Sequence, residues 1–153
     1  MKEVQLYTDG ACRGNPGVGG YGAILIYGKH EKVIQGGERE TTNNRMELMA
    51  AIEGLSALKE QCIVTLYSDS KYLVDAYLSG WVENWRKRGW KKSDGALKNP
   101  ELWQRLCELT DYHKVSFVWV KGHNGNPYNE RCDALATEFA DALAAAAEKS
   151  SLS

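Results

Sequence analysis

Ile63-Val64-Thr65-Leu66-Tyr67-Ser68-Asp69-Ser70 is the stretch on which the fold turns. It opens with a short, nearly continuous apolar run, as expected for a strand covered on both faces. Ser68-Asp69-Ser70 then ends the strand and starts a helix. A strand that feeds directly into a helix points to an α/β sheet with parallel strands joined by helical crossovers.

Toward the N-terminus, Leu48, Ile52, Leu55 and Leu58 mark the apolar face of a helix that begins near Asn43 or Asn44. Before it, Val4 to Thr8, Tyr21 to Tyr27 and Lys32 to Gln35 read as strands. Asp9-Gly10 is expected to stop the first, and a glycine-rich loop from Arg13 to Gly20 to follow. Toward the C-terminus, Trp81 to Trp90 reads as a short aromatic and basic helix with a loop. Pro100 opens a helix that runs to about Tyr112. Val115 to Val120 is the last strand, and Gly122 to Gly125 a loop. Asn126-Pro127 caps and opens a final helix whose buried stripe is Cys132, Leu135, Phe139 and Leu143. Its alanine-rich end, with Ser150 to Ser153, is expected to fray. The order is therefore an antiparallel meander of three strands, extended by parallel strands through helices. That is an α/β fold: a mixed five-stranded sheet flanked by helices, in one domain over 1–153 with a core from about 3 to 143.

Composition agrees. The chain has 153 residues, of which 43% are hydrophobic and 25% charged, enough for one real core. No apolar run approaches the ~20 residues of a membrane span, and the N-terminus does not read as a secretory signal. Cys12, Cys62, Cys107 and Cys132 are far apart without zinc-like spacing, which favours reduced thiols and a cytoplasmic protein. Net charge is −1, yet Arg86, Lys87, Arg88, Lys91, Lys92 and Lys98 form a local basic patch.

Four carboxylates carry the chemistry. Singly, Asp9 reads as a turn residue, Glu47 as the partner of Asn44 in a capping box, Asp69 as a helix cap and Asp133 as a solvated residue. Together they read differently. Asp9 and Asp69 end neighbouring strands, and Glu47 and Asp133 lie in early turns of helices packed on the sheet. The carboxyl ends of parallel strands are where ligands bind. Four acids gathered there repel one another unless divalent cations neutralise them. An all-oxygen donor set suits magnesium or manganese, and a pair of such ions supports in-line attack on a phosphodiester. His123, between glycines, is a candidate proton shuttle.

Tyr7-Thr8-Asp9-Gly10-Ala11-Cys12 with Gly14-Asn15-Pro16-Gly17, Thr41-Thr42-Asn43-Asn44-Arg45-Met46-Glu47-Leu48, Ser68-Asp69-Ser70, and Val120-Lys121-Gly122-His123 with Asn129-Glu130-Arg131-Cys132-Asp133 stand in the order found in the bacterial ribonuclease HI (type 1 ribonuclease H) family, which the chain resembles. Trp85-Arg86-Lys87-Arg88-Gly89-Trp90 is similar to that family's basic protrusion. The resemblance implies a ribonuclease H-like sheet. It implies an endonuclease that cuts the RNA strand of an RNA–DNA hybrid with two magnesium or manganese ions, leaving 5′-phosphate and 3′-hydroxyl ends. It implies Asp9, Glu47, Asp69 and Asp133 as the metal-binding catalytic set, with His123 on a mobile loop and Glu130 as an accessory acid. Cys12, Asn15, Asn43 and Asn44 would line the RNA strand, where a 2′-hydroxyl can be tested. Thr42 and Asn99 would hold a DNA phosphate, and Arg86, Lys87, Arg88, Lys91 and Lys92 would grip the duplex. Two positions depart from the pattern: Glu40 stands where some relatives carry a basic residue, and Lys71 where they often carry glutamine. A non-catalytic hybrid-binding module would lack one of the acids, and none is missing. A DNA-acting relative such as an integrase or junction resolvase is disfavoured by the Thr-Thr-Asn-Asn and Gly-Asn-Pro-Gly segments. A monomer that meets no membrane is expected.

Overall fold

The computed structural model describes residues 1–122 and 124–152, with side chains as far as 149. Three long strands open the chain: β1 (Lys2–Gly14), β2 (Gly17–Tyr27) and β3 (His30–Thr41). Helix α1 (Asn43–Ser56), strand β4 (Cys62–Ser68) and helices α2 (Lys71–Leu78) and α3 (Trp81–Lys87) follow. A two-residue hairpin, β5 (Lys91–Lys92) with β6 (Gly95–Ala96), precedes α4 (Pro100–Tyr112), β7 (Lys114–Trp119) and α5 (Pro127–Leu152). The main sheet has the order β3-β2-β1-β4-β7. Its first three strands are antiparallel, and β4 and β7 add in parallel. This is the mixed five-stranded sheet read from the sequence.

Three local expectations need correction. Asp9-Gly10 does not stop β1. The parallel pairing with β4 ends at Thr8 opposite Ser68, but β1 runs on against β2, with Asp9 opposite Gly22 and Gly14 opposite Gly17. The glycine-rich stretch is thus mostly strand, because antiparallel pairing satisfies its backbone where side chains are small. Second, β4 is not covered on both faces. Cys62, Val64, Leu66 and Ser68 are buried, while Ile63 is 36% exposed, since α5 lies over β1 to β3 and stops short of β4. Third, the buried stripe of α5 is Cys132, Ala136 and Ala140, with Leu135, Phe139 and Leu143 only half-buried. Helix α5 runs as far as Leu152.

The alanines and glycines explain one another. A Cβ on Gly20 would stand 2.1 Å from the Ala136 carbonyl oxygen, and one on Gly22 would stand 2.7 Å from that of Cys132. Bare backbone on β2 lets α5 lie directly on the sheet. On the opposite face, Gly54 of α1 leaves room for Leu6 in the same way, and α1 packs on α4. Leu6, Leu48, Leu55, Val64, Leu66, Trp103 and Leu106 are wholly buried there, each contributing ~1.5–3 kcal/mol if an aliphatic scale is applied. The four cysteines are free thiols.

A side chain on Gly20 cannot be accommodated without lifting α5. Gly20→Ala should destabilise the protein by about 1–3 kcal/mol, the range of an overpacked core. Denaturant melts check this, and an unchanged midpoint would contradict the close packing of α5 on β2.

Candidate active site

Beyond Ser68 the sheet is one strand short. On that side β1 has no partner, and the open notch collects side chains from both faces. Asp9 stands on β1 itself, Glu47 is carried in by α1, Asp69 by the end of β4, and Asp133 by α5. Glu47 does not close a capping box. Thr42 is the N-cap of α1, its Oγ1 accepting from the Arg45 N–H at 3.2 Å, which leaves Glu47 to face β1. Asp69 is likewise not the cap of α2, because Ser70 takes that role with its Oγ accepting from the Leu73 N–H at 3.2 Å. Two residues with bland helix-capping readings are thereby freed.

Carboxylate oxygens of Asp9, Glu47 and Asp69 all lie within 4.8 Å of one another. The Gly10 N–H donates to Asp9 Oδ1 at 2.9 Å and to Glu47 Oε1 at 3.1 Å. Asp9 and Glu47 are buried, at 4% and 3% exposure. Glu47 Oε2 is buried with no donor among the described residues. Asp133 is not within that triangle but lines the same cavity of about 580 Å³, as do Cys12, Asn43, Asn44 and Lys71. Burial first, and then the charge of Asp69, pushes the Asp9 carboxyl up to about 8. Burial and the charges of Asp9 and Asp69 push Glu47 well above the usual carboxylate range. Burying like charges this closely is unfavourable, and an all-oxygen donor set with one oxygen unpaired is what a hard divalent cation satisfies. The residues therefore fit such an ion.

The remaining sequence candidates fall in three groups. Cys12, Asn43 and Asn44 border the carboxylates, and the Asn15 side chain accepts from the Asn43 N–H at 3.2 Å. Thr42 and Asn99 are joined through Arg45, which sequence reasoning passed over. Its guanidinium reaches Glu38 at 3.1 Å, Glu101 at 2.6 Å and Asn99 Oδ1 at 3.4 Å. It thus ties the end of β3 and the start of α1 to the start of α4. The signal was present in Arg45's place beside Asn44, but its partners are distant in sequence. Lys87, Arg88, Lys91 and Lys92 are exposed. Arg86 instead makes a two-pronged contact with Asp111 of α4, both at 3.1 Å, so its charge is already paired. Trp85 packs edge-on against Trp103 at 5.1 Å, whereas Trp81 is 43% exposed and no core residue. Glu40 is exposed on β3 and Glu130 on the first turn of α5. His123 lies outside the described residues.

A family model for RNase H matches residues 1–141. The chain belongs to the RNase H family. It is 61% identical over 139 residues to the ribonuclease H of Acetivibrio thermocellus, covering 90% of this chain and 95% of that one. The solved structure of LC9-RNase H1, a type 1 RNase H, superposes with a TM-score of 0.84 at 33% identity, over 94% of this chain and 74% of that one. LC11-RNase H1, solved in complex with an RNA/DNA hybrid, superposes with a TM-score of 0.65 at 25% identity, over 90% and 96%. This family member is accordingly a ribonuclease H enzyme, with its acidic cluster in the notch beside β1.

The raised Asp9 carboxyl makes metal-free stability depend on pH. Folded protein holds that proton more tightly than the unfolded chain does. The stabilisation is complete below about pH 4 and is lost as pH rises through about 8. In chelator, Asp9→Asn should melt higher than the parent at pH 8 and nearly with it at pH 4. Thermal melts at the two pH values check this, and a variant that melts lower at pH 8 would contradict it.

Proposed function

We propose that this RNase H hydrolyses the RNA strand of RNA–DNA hybrids endonucleolytically, using two divalent cations, magnesium or manganese, and leaving 5′-phosphate and 3′-hydroxyl ends. The observation that carries the reading is the carboxylate triangle, three acids within 4.8 Å with Glu47 Oε2 buried and unpaired. Asp9, Glu47, Asp69 and Asp133 would hold the ions. When bound, such ions lower the pKa of an attacking water and neutralise charge on the leaving oxygen.

The rest of the site supports a hybrid as substrate. Short polar groups at Cys12, Asn15, Asn43 and Asn44 border the acids and suit a test for the 2′-hydroxyl, the group that separates RNA from DNA. Thr42 and Asn99, braced by Arg45, suit a phosphate of the DNA strand. Lys87, Arg88, Lys91 and Lys92 are exposed and largely free to follow the backbone, a contact that positions without reading sequence. Among these four, Lys92 has an acid nearby, Asp94 at 4.0 Å. Arg86 is left out of this set because Asp111 holds it. His123 would carry protons in the reaction, with Glu130 as an accessory acid. The hybrid-bound state of LC11-RNase H1 supports the same substrate. No described helix is long and apolar enough to cross a membrane. A monomer working in the cytoplasm completes the proposal.

A labelled hybrid offered beside matched DNA and RNA duplexes tests it. With magnesium, the RNA strand of the hybrid alone should be cut, chelator should stop cutting, and Asp69→Asn should nearly abolish turnover without unfolding the protein. Neutralising Lys87, Arg88, Lys91 and Lys92 should spare turnover at saturation. It should also flatten the slope of log affinity against log salt by roughly 0.9 for each phosphate that the variant no longer neutralises. Cutting of duplex DNA, or full turnover by Asp69→Asn, would refute the reading.

A further inference from the structure

Asp9 and Glu47 are each held by the Gly10 N–H, whereas no hydrogen bond reaches the Asp69 carboxylate among the described residues. Yet its oxygen completes the triangle. Placement comes from the segment that leaves β7. The Val120 N–H donates to the Ser68 carbonyl at 2.9 Å. The indole Nε1–H of Trp119 donates to the carbonyl of Asp69 itself at 3.1 Å. The ammonium of Lys71 lies 5.0 Å above the same indole, a cation–π contact that favours one seating of the ring.

Gly122 completes this bracket. A Cβ built there would stand 2.7 Å from Asp69 Oδ2 and 3.4 Å from its Cγ. The backbone of Gly122 is not left-handed, so space rather than conformational freedom demands glycine here. What the added methyl would strike is the tip of a short rotatable side chain, not backbone. The cheapest response is for the Asp69 carboxylate to turn away while the fold stays intact.

We propose that Trp119 and Gly122 are positioning residues for Asp69. The indole fixes the backbone that carries the carboxylate, and the bare Cα of Gly122 leaves it the rotamer in which it joins Asp9 and Glu47. Divalent-cation affinity is then tied to residues 119–122, none of which is itself a ligand. The proposal rests on the reading of the carboxylates as a cation site.

The test is the magnesium dependence of thermal stability, with magnesium chloride as the only ligand. Parent, Gly122→Ala, Trp119→Phe and Asp69→Asn are compared with the two doubles in the Asp69→Asn background. Phenylalanine keeps an aromatic ring beneath Lys71 while removing the donor. Metal-free melting of Gly122→Ala should match the parent. Its half-saturating magnesium should rise on the order of tenfold, as for other groups that orient metal ligands. Trp119→Phe should move the same way, and it carries the test should Gly122→Ala misfold. Both effects should vanish in the Asp69→Asn background, because residues acting through one partner are non-additive. Parent-like half-saturation in the single variants, or weakening that persists without the Asp69 carboxylate, would overturn the proposal. A parent that gains no stability from magnesium would overturn the cation reading itself, and this proposal with it.

Discussion

One backbone N–H, that of Gly10, is shared between two buried carboxylates, and much of the site follows from that contact. The sharing requires α1 to lie almost on β1. A Cβ at position 10 would stand 2.6 Å from the Glu47 N and 2.7 Å from the Met46 carbonyl carbon, so only glycine permits the approach. A single donor cannot neutralise two acids, and Asp69 adds a third. The cluster is therefore held in place but left electrostatically unsatisfied. Its response without metal is to keep protons, as the raised Asp9 and Glu47 carboxyls record.

The sheet provides the opening for this cluster. Strand β1 outruns β4, and the missing neighbour beyond Ser68 leaves a notch that helices on both faces can reach. Helix α1 enters from one side and α5 from the other. Each is admitted by glycines, Gly10 and Gly54 for α1, Gly20 and Gly22 for α5. The close packing and the chemistry thus have one cause. Backbone that approaches backbone places carboxylates nearer together than water-separated side chains would settle.

Much of this was legible in the sequence. The apolar run at Ile63 with its polar stop, the helical spacing of Leu48 to Leu55, and Pro100 and Pro127 located most elements. Asp69 was marked by its place at a strand end and Glu47 and Asp133 by theirs at helix starts, whereas Asp9, read as a strand end, lies within β1. What failed had a local physical reason. Asp9-Gly10 carries a turn signature, but strand β2 pairs with it and outweighs that preference. Glu47 and Asp69 look like caps until Thr42 and Ser70 are seen to do that work. The Arg45 clamp, the Arg86–Asp111 pair and the Trp119 bracket join residues far apart along the chain, and no local pattern announces them.

The central claim is that the acids are crowded to be relieved by cations. Magnesium must then displace protons on binding, because carboxylates ligate only when ionised. Calorimetric titration of the protein with magnesium at pH 7, repeated in buffers of different ionisation enthalpy, counts those protons. The account predicts net proton release at pH 7, with the share from Asp9, pushed up to about 8, falling away as pH rises beyond that value. Magnesium binding with a heat independent of buffer at pH 7, or no binding at all, would contradict it.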